Sequence, residues 1–156
     1  MASSNVLTLY RLVATRWAAT ALSGEGARLY GGRWNSIGYP LVYLSSSRSL
    51  CALESLVHLT SSGSRKKQFS FLEVSIAKSM VQTLSDPLPT DWRLEPPVTS
   101  TMQLGDNWLQ KGSSLALQVP SAVIPEESNY LLNPLHKDFS QITLSDPSKF
   151  RFDERL

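Results

Sequence analysis

The residues best suited to chemistry lie close together in the first third of the chain. Residues 29–35 read Leu-Tyr-Gly-Gly-Arg-Trp-Asn, Tyr43 follows in an apolar run, and Glu54 lies in a run with helical spacing. Arg33 offers a planar fork of donors that suits phosphate or carboxylate. The aromatic rings of the stretch supply flat faces for stacking, and its paired glycines let another backbone or a ligand come close. We therefore expect this stretch, Glu54 and a later serine to form a nucleotide pocket.

Glu54 also has a simpler structural interpretation. At about 100° per residue its side chain projects beside Leu50 and His58, at the margin of the apolar face of the helix. A contact with His58, four residues on, would contribute about 0.2–0.5 kcal/mol and would need no ligand. Taken alone, the spacing favours that contact over a catalytic carboxylate.

Ser121 is the candidate for the later serine. It follows a strand-like run over residues 114–119 and a proline, so its hydroxyl can face a cleft, although a lone serine there more often stabilises a turn. A triad of Ser121, His136 and Asp138 is disfavoured because no Gly-x-Ser-x-Gly elbow surrounds the serine. We expect His136 to be a hydrogen-bonded structural residue.

Metal and thiol chemistry are both disfavoured by the sequence. The chain has two histidines and one cysteine, and the histidines have no familiar metal-ligand spacing, so we expect no metal site. Cys51 lies between Leu50 and Ala52, which is typical of a small buried hydrophobe.

The remaining candidates are an arginine, a tyrosine, a glutamate and a serine. Because they include no metal ligand set and no strong nucleophile, they suit a ligand that already contains a good leaving group. NAD is such a ligand, because its nicotinamide leaves as a neutral ring from a cationic glycoside. The protein then has to hold the pyrophosphate, pin the ring and stabilise an oxocarbenium-like ribose with a carboxylate. The set of residues thus suits NAD+ as a substrate, and no resident cofactor is expected.

Short apolar runs predict the scaffold that positions these residues. Strands and helices are segregated and do not alternate, which predicts an α+β fold of small mixed or antiparallel sheets with a few short helices. Residues 18–32 are small and Gly-rich and predict a loop, and a serine tract over 45–47 can cap the first helix. The expected strands cover residues 7–13 (an edge strand), 41–44, 69–76 with a continuation over 80–84, 114–119, 142–144 and 149–152; the expected helices cover 48–60 and 101–111; a proline-rich ordered loop covers 86–97, with Trp92 and Leu94 buried.

The length of the chain favours a single domain, and its net charge bears on the kind of partner. The 156 residues predict one domain over 1–156, and a net charge of +2 is too small to indicate nucleic-acid binding. The basic run at 65–67 is typical of a solvated turn. The sequence shows neither a secretory leader nor an apolar run of the ~20 residues that a membrane span needs, so we expect a soluble cytoplasmic protein with no membrane partner.

The sequence resembles the RES domain family, the toxin half of Xre–RES toxin–antitoxin pairs, named for arginine, glutamate and serine. The block Gly-Gly-Arg-Trp-Asn at 31–35 is the most specific match, and Lys137 departs from the proline expected after His136. The matching pieces run in order along the chain, at residues 10–11, 26–35, 42–45, 52–54 with 57–58, 119–122, 129–136 and 152–156.

The resemblance implies a fold related to ADP-ribosyltransferases and an activity that depletes NAD by splitting the nicotinamide–ribose bond with water or phosphate. The residues that it implies are catalytic are Arg33, Tyr43, Glu54 and Ser121, with Tyr30, Trp34 and Asn35 as further ligand-binding candidates. Arg33 would pair with phosphate or orient the ribose, and Tyr43 would stack or hydrogen-bond at the nicotinamide. Glu54 would bind a ribose hydroxyl and stabilise the cation, and Ser121 would hold a phosphate or ribose oxygen.

Two other functions remain open from the sequence. A mono-ADP-ribosyltransferase would use the same pocket with a protein or nucleic-acid acceptor, and a non-catalytic module would act by binding a partner. The resemblance also implies a small Xre-type antitoxin with a DNA-binding helix-turn-helix. DNA contact is expected only through that antitoxin, because this chain has no basic stripe.

Overall fold

The strands of the protein form a single curved sheet. The computed structural model describes residues 5–59 and 61–156, and eight strands lie within them. Their bounds are β1 (Val6–Ala14), β2 (Val42–Ser45), β3 (Phe69–Ala77), β4 (Val81–Thr83), β5 (Ala116–Pro120), β6 (Ser128–Leu132), β7 (Thr143–Leu144) and β8 (Ser148–Phe150). The order across the sheet is β4-β5-β6-β2-β1-β3-β7, with β8 also paired to β3. Only the β4–β5 pair is parallel among these strands.

Short helices cover the sheet and confirm the α+β class. In the described ranges the α-helices are α1 (Glu25–Tyr30), α2 (Arg48–Leu56), α3 (Ser62–Arg65) and α4 (Thr99–Lys111), and 3-10 turns cover Thr15–Thr20, Lys78–Met80 and Phe139–Gln141. The serine tract caps α2 as predicted, since Ser47 Oγ accepts from the N–H of Leu50 over 3.1 Å. That cap satisfies one of the otherwise unpaired donors of the first turn.

Several sequence-based predictions of elements were wrong. Strand β1 lies inside the sheet between β2 and β3, with Tyr10 opposite both Ser45 and Glu73, and is not an edge strand. The Gly-rich region predicted as a loop contains a 3-10 turn and α1, and residues 81–83 form a new strand at the far edge instead of continuing β3. The two strand errors share one cause, because the pairing partner of a strand is a long-range choice that local spacing does not encode.

The two faces of the sheet carry separate apolar clusters. Because successive strand residues point to opposite faces, Val42 and Leu44 face one side while Tyr43 and Ser45 face the other. The first cluster contains Val42 and Leu44 with Leu9, Val74, Ile76 and Leu132. The second contains Trp34, Leu41, Trp108, Leu117, Val119 and Leu131, with Tyr43 packed against it. The predicted site residue Tyr43 is therefore on the face that α4 covers.

Helix α4 packs through a glycine against the Gly-Gly-Arg-Trp-Asn stretch at 31–35, which we call the glycine-arginine block. A Cβ atom on Gly105 would lie 1.7 Å from the carbonyl oxygen of Trp34, which is far inside contact distance. On the same helix, Asp106 Oδ1 accepts from the N–H of Ser36 over 2.9 Å. Residues 33–36 are thus held in place by the close approach of α4.

The segment between β4 and α4 is irregular, as its prolines predict. Trp92 is half-buried and packs at the second cluster, but Leu94 is 56% exposed, so its predicted burial was wrong. None of the helices in the described part of the chain combines the length and the apolar composition of a membrane span.

Candidate functional site

Glu54 and Ser121 lie in direct contact. Ser121 Oγ donates to Glu54 Oε1 over 2.6 Å, and Asn129 Nδ2 donates to the same oxygen over 2.8 Å. The hydrogen bonds of Glu54 therefore come from these two residues and not from His58, which is exposed. The structure places the predicted carboxylate and the predicted serine in one cluster, although neither is near the other in sequence.

Ser121 is fully committed to protein contacts. Its side chain is completely buried, and its Oγ accepts from the N–H groups of Val123 and Ile124 over 3.1 and 3.0 Å while donating to Glu54. A serine hydroxyl has one proton and two lone pairs, so these three bonds saturate it. In this conformation Ser121 holds Glu54 and the following turn, and its hydroxyl has no capacity left for a ligand.

Asn129, on β6, connects Glu54 to Ser45 on the neighbouring strand β2. Its Oδ1 accepts from Ser45 Oγ over 2.8 Å, and Ser45 and Asn129 are direct register partners on β2 and β6. Ser45 and Tyr43 lie on the same face of β2, about 7 Å apart along the strand. We call Glu54, Ser121, Asn129 and Ser45 the Glu54 network; it begins on α2 and reaches the strand that carries Tyr43.

The hydroxyl of Tyr43 binds the glycine-arginine block. It donates to Asn35 Oδ1 over 2.6 Å and accepts from the N–H of Trp34 over 3.1 Å. A Cβ atom on Gly32 would lie 2.5 Å from this hydroxyl, so only glycine allows the phenol to come so close. Burial raises the pKa of Tyr43 above its ordinary value, and the phenol therefore stays neutral. The hydroxyl of Tyr43 is therefore already used within the protein.

Arg33 is held by the proline-rich loop. Its Nη1 donates to the carbonyl oxygens of Trp92 and Leu94 over 2.9 and 2.8 Å, and its Nη2 lies 3.1 Å from Oε2 of Glu95. The side chain of Arg33 is 15% exposed and that of Glu95 is 67% exposed. An exposed carboxylate is thus paired with the largely buried guanidinium of Arg33.

The proline-rich loop also contacts the residue that follows Ser121. Arg93 Nε donates to the carbonyl oxygen of Ala122 over 3.0 Å, directly after Ser121. Direct hydrogen bonds thus join Glu54 to Ser121 and Tyr43 to Trp34 and Asn35, while Arg33 bonds to the loop. Tyr43 and Ser45 of the Glu54 network lie on one face of β2, and this strand links the two groups.

The three further ligand-binding candidates have different surroundings. The indole of Trp34 is 2% exposed in the second apolar cluster, so its faces are covered by protein. Asn35 is fully buried, and its Nδ2 donates to the carbonyls of Ala27, Ser36 and Tyr39. Tyr30, by contrast, is 81% exposed at the end of α1 and presents its ring to solvent.

Sequence reasoning missed three polar residues that support the site. All three, Arg11, Ser45 and Asn129, lie in stretches that match the family, at 10–11, 42–45 and 129–136, but they were assigned no role. Arg11 Nε donates to the carbonyl of Ala21 over 2.7 Å and its Nη1 to the carbonyl of Tyr43 over 3.0 Å. Arg11 therefore ties β2 to the segment before α1, and burial lowers its pKa from the ordinary value.

The predictions for His136 and Cys51 are confirmed. His136 Nδ1 accepts from the N–H of Asp138 over 3.0 Å, and its Nε2 lies 3.1 Å from the carbonyl of Gly112, so it is a hydrogen-bonded structural residue. Cys51 is buried, and burial raises the pKa of its thiol to about 11. Across residues 5–59 and 61–156, no three His, Cys, Asp or Glu side chains cluster in a way that could hold a metal ion.

Two surface cavities lie away from the candidate site residues. One of about 370 Å³ borders the C-terminal end of α4 and His136, and one of about 490 Å³ lies between Ala21 and Phe139. Neither is lined by Arg33, Tyr43 or Glu54.

Comparison with known proteins identifies the family. Residues 8–153 match the RES domain. The chain belongs to the RES domain family. The Toxin Res of Yersinia enterocolitica is 44% identical over 152 residues, which cover 96% of this chain and 99% of that protein. The Prs ADP-ribosylating toxin of a Sphingobium species is 36% identical over 147 residues, covering 92% of this chain and 91% of that toxin.

A third relative shares the fold of this RES domain. A stretch of 35 residues is 54% identical to the NAD(+) phosphorylase MbcT of Mycobacterium tuberculosis, covering 22% of this chain and 19% of MbcT. The crystal structure of the M. tuberculosis MbcT–MbcA toxin–antitoxin complex superimposes with a TM-score of 0.76 at 21% identity, over 94% of this chain and 85% of that chain. This RES domain therefore has the fold seen in that structure.

Proposed function

We propose that this RES domain is a toxin that degrades NAD+ by cleaving the nicotinamide–ribose bond. The observation that carries the proposal is the placement of Glu54, whose Oε1 is held by Ser121 and Asn129. The relatives named Toxin Res and NAD(+) phosphorylase MbcT support the same activity.

The chemistry assigned to Glu54 is electrostatic. Loss of nicotinamide leaves positive charge on the ribose, and a carboxylate fixed beside that carbon lowers the barrier by several kcal/mol because it needs no reorganisation. A carboxylate can also bind a ribose hydroxyl and orient the sugar. Water or inorganic phosphate then attacks the ribose, giving hydrolysis or phosphorolysis.

Arg33 and Tyr43 are assigned to binding. Arg33 would exchange its contact with Glu95 for a phosphate of NAD+, because a guanidinium binds phosphate through the same N–H groups. Tyr43 would offer its ring face to the nicotinamide, since its hydroxyl is bonded to Asn35. The exposed ring of Tyr30 would stack on the dinucleotide from the surface. Ser121 would act through Glu54 and would not touch the substrate.

The direct test is nicotinamide release from NAD+ by purified protein. Glu54→Ala and Arg33→Ala should abolish release, whereas Glu126→Ala, a control that removes an exposed carboxylate of the same type, should leave it unchanged. NAD+ turnover that persists in both site variants would overturn the residue assignment. Mass analysis of the product with and without inorganic phosphate would separate ADP-ribose from its phosphorylated form.

A second candidate function is ADP-ribosyl transfer to a protein or nucleic acid. The relative named Prs ADP-ribosylating toxin, 36% identical to this chain, favours it. Both reactions break the same bond and differ only in the acceptor. With NAD+ labelled in its adenosine part, label on a macromolecule supports transfer, while label only in small products supports degradation.

We also propose an antitoxin partner. The related fold was solved as a toxin–antitoxin complex, and an antitoxin would protect the host from NAD+ loss by covering the site. We expect a small Xre-type protein with a helix-turn-helix that supplies all DNA contact, and we expect the pair to act in the cytoplasm, where NAD+ is held. Operator DNA should shift with the complex or the antitoxin and not with this chain alone; a shift by this chain alone would contradict the assignment.

A further inference from the structure

Asn129 makes the second of the two contacts that hold Glu54. Its Nδ2 donates to Oε1 over 2.8 Å, and its Oδ1 accepts from Ser45 Oγ over 2.8 Å. An ionised carboxylate only accepts hydrogen bonds, so the amide must turn its N–H₂ end toward Glu54 and its oxygen toward the serine. The orientation of Asn129 is thus determined from both sides.

The two oxygens of Glu54 have different roles. Ser121 and Asn129 both bind Oε1, while no described residue donates to Oε2. Since no buried side-chain oxygen or nitrogen in the described ranges lacks a hydrogen-bond partner, Oε2 must reach solvent. One oxygen is committed to the protein, and the other is presented outward.

Asn129 supplies the rigid part of this support. It stands on β6 directly opposite Ser45 on β2, in the middle of the sheet, whereas Ser121 lies after the end of β5. The last torsion of a glutamate side chain is broad, so a single donor leaves the carboxylate free to turn. Two donors on one oxygen, one of them anchored on the sheet, restrict that rotation.

We propose that Asn129, anchored by Ser45, is a positioning residue that orients Glu54 so that Oε2 is the oxygen that meets the ribose of NAD+. This inference rests on the proposed function. Asn129 does not touch the substrate; it acts through Glu54. Because a misplacement of about 1 Å can cost about 100-fold in rate, loss of this orientation should lower kcat.

The test uses Asn129→Ala and Ser45→Ala, with Asn133→Ala as the matched control. Asn133 is a buried asparagine whose Oδ1 accepts from the N–H of Leu135, and it makes no contact with the Glu54 network. Nicotinamide release is measured well below the melting temperature of each variant, so that the folded fraction is the same. We expect Asn129→Ala to lower kcat about 10- to 100-fold with little change in KM, Ser45→Ala to lower it less, and Asn133→Ala to leave kcat unchanged.

A double variant shows whether the two residues act together. If Ser45 acts only through Asn129, the Ser45→Ala change should cause no further loss of kcat in the Asn129→Ala background. A full additional loss, or wild-type kcat in Asn129→Ala, would overturn the inference while wild-type protein still releases nicotinamide. If Asn129→Ala does not fold, unchanged kcat in Ser45→Ala overturns it by itself. No release by wild-type protein would instead refute the proposed function, and the positioning role with it.

Discussion

The hydroxyl of Ser121 lies 2.6 Å from Oε1 of Glu54, although 67 positions separate the two residues. The serine is completely buried and also accepts from two backbone N–H groups, so it links the carboxylate on α2 to the turn after β5. In this structure the hydroxyl of Ser121 supports the carboxylate of Glu54, the residue that we propose contacts the substrate.

Ser121→Ala should therefore reduce stability as well as activity. The change leaves the N–H groups of Val123 and Ile124 without an acceptor and should cost about 1–3 kcal/mol in the free energy of unfolding. Urea denaturation measures that cost, and nicotinamide release should fall with it. Ser113→Ala, at an exposed serine bonded to Gln82, is the control and should change neither. Unaltered stability in Ser121→Ala would contradict the observed contacts.

Tyr43→Phe should separate the structural role of the tyrosine hydroxyl from the proposed ligand-binding role of its ring. The ring is kept, but Asn35 Oδ1 and the N–H of Trp34 lose their partner, so we expect a loss of about 1–3 kcal/mol in the free energy of unfolding. Turnover should survive better than in Tyr43→Ala, because the ring face remains. Tyr39→Phe removes a hydroxyl that binds Gln110 at the surface and should shift stability by less than about 0.5 kcal/mol. Equal turnover in Tyr43→Phe and Tyr43→Ala would argue against a role for the ring.

Glu95→Gln should tighten NAD+ binding. The carboxylate of Glu95 lies beside Arg33 and is largely exposed, and exposed ion pairs contribute about 0.2–1 kcal/mol. Removing its charge should therefore lower KM by about 1.5- to 5-fold and leave kcat nearly unchanged. Glu126→Gln controls for the change in net charge. A raised KM would mean that Glu95 holds Arg33 in its productive orientation and does not compete with the substrate.

Cys51 should make stability depend on pH in the alkaline range. Burial raises the pKa of the thiol to about 11 from an ordinary value of 9.0, so the unfolded chain loses this proton first. The neutral thiol contributes fully below pH 9, and its contribution is lost as the pH rises toward 11. The stability difference between wild type and Cys51→Ala should fall across that window by up to about 3 kcal/mol. A constant difference in chemical denaturation from pH 8 to 11 would refute the burial effect.

Gly105→Ala should displace α4 from the site. The added Cβ would lie 1.7 Å from the carbonyl oxygen of Trp34, and backbone cannot yield as a flexible side chain does. We expect a loss of at least about 1–3 kcal/mol in thermal or urea denaturation. Gly26→Ala is the matched control, because a Cβ there meets nothing within 4 Å and lies in α1. A tolerated Gly105→Ala would mean that α4 can shift without cost.

Local patterns predicted the parts of the molecule that depend on near neighbours. Spacing and capping over a few residues account for the strand β2, the helix α2 with its Ser47 cap, and the α+β class. The candidate set of Arg33, Tyr43, Glu54 and Ser121 also came from residue types and a family resemblance, and the fold brings Glu54 and Ser121 into direct contact. Their catalytic roles stay predictions for the experiments above.

Contacts between distant segments decided the rest. Three findings depend on which strands pair and which sheet faces meet. They are the central place of β1, the burial of the Trp34 ring, and the hydrogen bonds of Ser121 and Asn129 to Glu54. A buried hydroxyl or amide must find a partner wherever the chain brings one, and that partner is 67 and 75 positions away in these two cases. The sequence by itself determined which chemical groups are present. Only the tertiary structure decided which of them reach the surface and which hold the others in place, because strand pairing sets those distances.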